Sequence, residues 1–259
     1  MTQLLKAMLA AGACALALAS AMPAQAAVVL AATRVVYNAS DAEATLRLSN
    51  EGDSPMLTQS WLDKGDATAS PSTIDVPFTV MPPVSRIDPG KAQTLRILYT
   101  GEPLPRDRES VFWLNVLEVP PKPDASGTDT NFLQMAFRSR IKLFFRPEGL
   151  KGQAADAPSQ LVWRLVPQGS AGKGPALEAR NPTAYHVSLG TVELVGGGKS
   201  AKFDDGVMVA PGEAQTIALT GELPSTAQAT VKYQAINDHG GVLEGESSLA
   251  PAMSASGTP

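Results

Sequence analysis

The stretch Leu133-Gln134-Met135-Ala136-Phe137-Arg138-Ser139-Arg140-Ile141-Lys142-Leu143-Phe144-Phe145-Arg146-Pro147 decides how the chain folds. Leu133, Met135, Phe137, Ile141, Leu143 and Phe145 take one parity. Gln134, Arg138, Arg140, Lys142 and Arg146 take the other, with Ala136, Ser139 and Phe144 as exceptions. Period-two alternation puts the apolar set on one face of an extended strand and the basic set on the opposite face. On these residues alone the segment reads as the last strand of a sandwich with a solvated basic face. Arg138 and Arg140 are then expected to tolerate replacement.

Similar runs recur upstream between turn signals. Ala44 to Ser49 alternates and breaks at Asn50-Glu51-Gly52-Asp53, and Met56 to Leu62 carries Trp61. Pro82, Pro83 and Asp88-Pro89-Gly90 punctuate the chain before Thr94 to Tyr99. Val111 to Val119 is almost continuously apolar and stops at Pro120-Pro121. Downstream, a small and polar stretch, 148–160, reads as a linker. Strands are then expected over 161–166, 176–180, 185–195, 216–219, 230–237 and 242–246. Short strands at roughly ten-residue spacing, with no 3.6-residue period, predict an all-β chain of two antiparallel sandwiches. They span 27–147 and 161–251, and 252–259 reads as a disordered tail.

Lys6 is the only charge before Arg34, and it precedes an apolar run from Ala7 to Ala21 that ends in Met22-Pro23-Ala24-Gln25-Ala26. A basic start, an apolar middle and a small-x-small exit read as a signal peptide, 1–26, cleaved after Ala26, and hence as export. The run is too short and Ala-rich for a stable membrane anchor. Removing it takes the only cysteine, Cys14, and one of the 21 basic residues but none of the 25 acidic ones, so the net charge moves from −4 to −5. That balance gives no electrostatic footprint for nucleic acid. Two histidines, His186 and His239, are too few and too isolated for a metal site. Gly196-Gly197-Gly198-Lys199-Ser200 ends like a phosphate loop, yet Glu193 stands where its first glycine belongs, so it reads as a hairpin turn. No nucleophile elbow exists for a serine triad. The reading is a protein with no catalytic residues, no metal and no cofactor.

Three segments together go further: Ala32-Thr33-Arg34-Val35-Val36-Tyr37, the run from Pro105-Arg106-Asp107-Arg108-Glu109 to Glu118-Val119-Pro120-Pro121, and the strand quoted first. Met81-Pro82-Pro83, Arg86-Ile87-Asp88-Pro89-Gly90, Arg180-Asn181-Pro182-Thr183 and Ile236-Asn237-Asp238-His239-Gly240-Gly241 complete the set. In order and spacing these resemble the periplasmic pilus (fimbrial) assembly chaperones, the PapD-like family, over essentially the whole chain after residue 26. The resemblance implies two Ig-like domains in a boomerang arrangement around a cleft. It implies an ATP-independent periplasmic chaperone that stabilises pilus subunits by donor-strand complementation and delivers them to an outer-membrane usher. By the same resemblance, Arg34 and Lys142 anchor the subunit's terminal carboxylate, and Leu133, Met135 and Phe137 are the donor side chains. Glu109, Arg146 and Asp238 hold the domains together. Lys142 and Phe137 differ in parity, so anchor and donor share a face only through a bulge or twist. A free donor edge invites capping by a second copy of the chain. The alternative reading of the composition is an exported structural or adhesive protein with tandem Ig-like domains.

Overall fold

A computed structural model describes residues 27–122, 134–167, 175–225 and 229–250. The expected signal peptide, Leu133 and the 252–259 tail lie outside them. In the first half nine strands form: β1 (Val28–Leu30), β2 (Arg34–Asn38), β3 (Ala44–Asn50), β4 (Met56–Asp63), β5 (Phe78–Met81), β6 (Val84–Ile87), β7 (Ala92–Tyr99), β8 (Ser110–Val119) and β9 (Phe137–Arg146). They make a four-stranded sheet, β1-β3-β7-β5, facing a five-stranded sheet, β2-β9-β8-β4-β6. Alternation along β3 and β7 supplies the buried Leu46, Leu48, Leu95 and Ile97, and β8 adds Phe112, Leu114 and Val116. Tyr37, Phe78, Tyr99, Phe112 and Phe145 close one end of this core, with Phe78 and Phe112 edge-to-face at 4.9 Å.

Two of the chain's crossings between the sheets take three residues or fewer. Pro82 and Pro83, which cannot donate to a ladder, separate β5 in one sheet from β6 in the other. At the start, residues 31–33 carry the chain from β1, paired with β3, to β2, paired in parallel with β9. The partners of β2 on β9 run only from Lys142 to Arg146. The earlier half of β9, from Phe137 to Ile141, therefore has β8 on one side and no described strand on the other.

The second half contains β10 (Val162–Pro167), β11 (Pro175–Arg180), β12 (Val187–Gly196), β13 (Lys199–Phe203), β14 (Val207–Val209), β15 (Ala214–Ala218), β16 (Thr220–Gly221), β17 (Thr230–Ile236) and β18 (Val242–Ser248). A three-stranded sheet, β10-β11-β15, packs on a larger one ordered β16-β13-β12-β17-β18, with β14 also on β12. Trp163, Leu177, Val192, Leu194, Val231 and Ile217 form its separate core. One expectation needs adjustment, and a second, the glycine turn, is met. The 148–160 stretch is not a plain linker, because Ala154–Gln160 forms a 3₁₀ turn whose Ala157 is fully buried in the second core. The glycine run is the β12–β13 turn, with Gly197 and Gly198 at φ +58° and +79°, a conformation that favours glycine over any side chain.

Candidate functional site

Arg34 opens β2 and faces Lys142 across the parallel ladder, so the two basic side chains stand as direct neighbours. Both reach into the cleft toward the second sandwich. The Arg34 guanidinium donates to the carbonyl of Ile236 at 2.8 Å and lies 5.8 Å from the Phe144 ring centre. The Lys142 ammonium donates to Ser188 Oγ at 3.2 Å. Among the described residues neither forms a salt bridge, and Arg34 Nε is buried without a partner. Burial, and then the charge of Arg34, push Lys142 down to about 8. Burial also lowers Arg34, against the attraction of Asp238. Two cations held together, largely out of water and with no salt-bridge partner among the described residues, are suited to accept an anion. Phe144, Ile236, Leu243 and Pro158 make the adjoining cavity, about 180 Å³, largely apolar.

The charge cluster expected at the domain junction is assembled in the structure. Arg146 donates through Nε to Glu109 Oε1 at 2.8 Å and through its terminal nitrogens to Asp238 at 2.7 and 3.1 Å. Burial works against the Arg146 charge, but the hydrogen bonds and charges of Asp238 and Glu109 raise its pKa on balance. His186 is a fourth member. Its backbone N–H donates to Glu109 Oε2 at 2.8 Å, and its ring lies 3.3 Å from the same oxygen. Glu109 N–H also donates to the Ala184 carbonyl. Gly240 packs so tightly on Thr33 that a Cβ there would meet Thr33 Oγ1 at 2.6 Å. Side chains and backbone thus hold the two sandwiches together around the cationic pair.

The segment expected to act as donor leads away from that pair along β9. Met135 and Phe137 are 50 % and 44 % exposed, unusual for such side chains; Phe137 opens the half of β9 that lacks a second described neighbour, and Met135 lies just ahead of the strand. Leu133 lies outside the described residues. Pairing with β8 runs without a shift from Phe137↔Glu118 to Phe145↔Ser110. With no bulge, the parity argument holds: Phe137 continues the inner row of Leu143 and Phe145, and Lys142 points from the outer face into the cleft.

Arg138 and Arg140 correct the expectation of a solvated, replaceable basic face. Arg140 donates to both oxygens of Asp63, at 2.5 and 3.1 Å, and lies 4.7 Å from the Trp113 ring centre. Arg138 donates to Asn115 Oδ1 and to the Ala67 carbonyl and lies over Trp61. The Asp63 side chain is 1 % exposed. Burial alone would raise its carboxyl, but hydrogen bonds from Arg140, Asn115 and Gly65 hold it below the ordinary value. The outer face of β9 is thereby tied to β4 and β8.

Comparison with known proteins gives this geometry its context. Residues 27–151 match the family described as "Pili and flagellar-assembly chaperone, PapD N-terminal domain", and 156–247 match "Pili assembly chaperone PapD, C-terminal domain". The chain belongs to the PapD-like family of pilus-assembly chaperones. It is similar to the probable fimbrial chaperone YadV of Escherichia coli K12, 47 % identical over 224 residues that cover 86 % of this chain and 89 % of that protein. It is also similar to the chaperone protein FimB/FhaD of Bordetella pertussis, 44 % identical over 238 residues covering 90 % and 93 %. The crystal structure of YadV chaperone superposes with a TM-score of 0.73 at 43 % identity over 86 % of this chain and all of that one. The SafB chaperone, solved with the Salmonella enterica SafA pilin, gives 0.70 at 30 % identity over 88 % and 99 %.

For this chaperone, reading the residues alone missed His186, Ser188, Asp63 and Asn115. Nothing in the local sequence marks His186, Ser188 or Asp63, because each acquires its role from a strand distant in the chain. Asn115 carries a weak signal, being polar between Leu114 and Val116.

Proposed function

We propose that this protein is a periplasmic, ATP-independent chaperone that captures a pilus subunit by lending it β9 as a missing strand, then passes it to an outer-membrane usher. One observation carries the reading. An unpaired strand edge that opens on exposed Phe137, with exposed Met135 just ahead of it, runs into a largely buried pair of cations, Arg34 and Lys142, that has no salt-bridge partner among the described residues. Strand addition draws affinity from main-chain hydrogen bonds and from side chains that enter pockets at alternate positions. A carboxylate held by Arg34 and Lys142 sets the register, so it decides which pocket receives Leu133, Met135 or Phe137. Glu109, Arg146 and Asp238, with His186, keep the second sandwich where the cleft stays formed. With no subunit bound, a second copy of the chain caps the same edge.

The relatives support this reading: they are named fimbrial chaperones, and one was solved with a pilin. The test is recovery of a subunit from the periplasm with the tagged chaperone. The wild type is expected to hold one subunit per chaperone, and Arg34→Ala/Lys142→Ala to be folded and empty. Equal recovery by the double variant would remove the anchor from the account.

A further inference from the structure

Glu118 occupies the last inward position of β8, in line with the core residues Phe112, Leu114 and Val116, and is 5 % exposed. A carboxylate there is costly unless its oxygens are paired. One is: Oε2 accepts from the Val28 N–H at 2.7 Å. The other, Oε1, is buried with no hydrogen-bond partner among the described residues. Burial pushes the carboxyl up, against the pull of Val28. Ala27 precedes that donor, its nitrogen no more than about 4 Å along the backbone from that of Val28. Ala27 is itself fixed, since its carbonyl accepts from Glu51 N–H at 2.8 Å. It lines a groove whose charged members, Glu51 and Asp53, are both acidic. The ladder places Glu118 opposite Phe137, where the donor strand begins.

We propose that Glu118 is the buried counter-ion of the amino terminus created at Ala27 when the export segment is removed. Hydrolysis of the Ala26–Ala27 bond by an exogenous peptidase consumes one water. It leaves a carboxylate on Ala26 and a protonated amine on Ala27. That amine adjoins Val28, the donor to Glu118, whose Oε1 is the one carboxylate oxygen buried without a partner among the described residues, and its acidic groove favours its charge. Processing thus does more than release the chain. It completes the packing at the end of β8 against which the donor strand starts. The inference rests on the export reading above and is independent of how subunits are captured.

The test uses the exported, processed chain and a chain carrying Gly-Ser-Gly-Ser ahead of Ala27, each with Glu118 and with Glu118→Gln. Intact mass gives the first residue, amine titration its pKa, and thermal unfolding the stability. The exported protein is expected to begin at Ala27, with its amine raised by about one unit or more above the usual ~7.7–8.0. Glu118→Gln should return the amine to that range. The extension should lower the unfolding midpoint of the Glu118 chain and leave the Glu118→Gln chain nearly unmoved. If Glu118→Gln does not fold, the amine titration and the free-versus-extended comparison at native Glu118 decide. An ordinary amine pKa, an unaffected midpoint on extension, or a first residue other than Ala27 overturns the proposal while leaving subunit capture untouched. Loss of subunit capture with the amine shift intact would instead count against the chaperone reading alone.

Discussion

Burial and the neighbouring Arg34 hold Lys142 at about 8, well below its ordinary 10.5. Between those values the unfolded chain carries more protons than the folded one, so the free chaperone gains stability as pH rises from about 8 toward 10.5. A bound carboxylate favours the charged ammonium and reverses the shift. Subunit binding is therefore expected to take up a proton above about pH 8 and to weaken as pH rises further. Calorimetry in two buffers of different ionisation enthalpy at pH 8.5 measures this, and zero uptake there would detach Lys142 from the anchor. Met135 makes a separate claim, being half exposed in the free protein. Burying such a side chain in a partner contributes ~1.5–3 kcal/mol. Met135→Asp should accordingly lose at least about tenfold in subunit affinity with thermal unfolding nearly unchanged. A sharp drop in the unfolding midpoint would mean that Met135 belongs to the chaperone's own core.

At the scale of the strand, β9 is asymmetric: β2 covers Lys142 to Arg146, and the half proposed to meet the subunit has β8 as its one described neighbour. An unsupported edge frays, and ordering it on binding costs free energy. The ties from Arg140 to Asp63 and from Arg138 to Asn115 and Ala67 hold that half extended from its outer face. Removing one partner of a buried ion pair costs about 3–5 kcal/mol, so Asp63→Ala should destabilise the first sandwich markedly. Arg138→Ala, whose side chain is 31 % exposed, should cost less. Both should speed amide exchange over Phe137–Ile141 more than over β3 and β7. The alternation of β9 was legible in the sequence because one face packs on a core. The work of its basic face was not, because Asp63 lies 77 positions away from Arg140. The strands left unread, β1, β5, β6, β13, β14 and β16, have two to five residues each. Runs that short show no period of their own and take their pairing from longer neighbours.

For the molecule as a whole, the junction between the sandwiches sets the cleft. Asp238 is 35 % exposed in its pair with Arg146, and a partly exposed ion pair contributes only ~0–1 kcal/mol. Asp238→Ala should barely change unfolding but broaden the distribution of interdomain distances seen by solution scattering. Arg146→Ala should do more, because it also strips Glu109, 4 % exposed, of its charged partner. An unchanged scattering profile for both would move the control of the angle to the backbone contacts at Ala184 and Gly240. The central claim is that the free half of β9 becomes an inner strand when a subunit binds. Amide exchange on the chaperone alone and in complex with its subunit tests it most directly. The account predicts new protection at alternate amides from Phe137 to Ile141, on the edge facing away from β8. Protection confined to other surfaces, with that edge exchanging as fast as in the free protein, would contradict it.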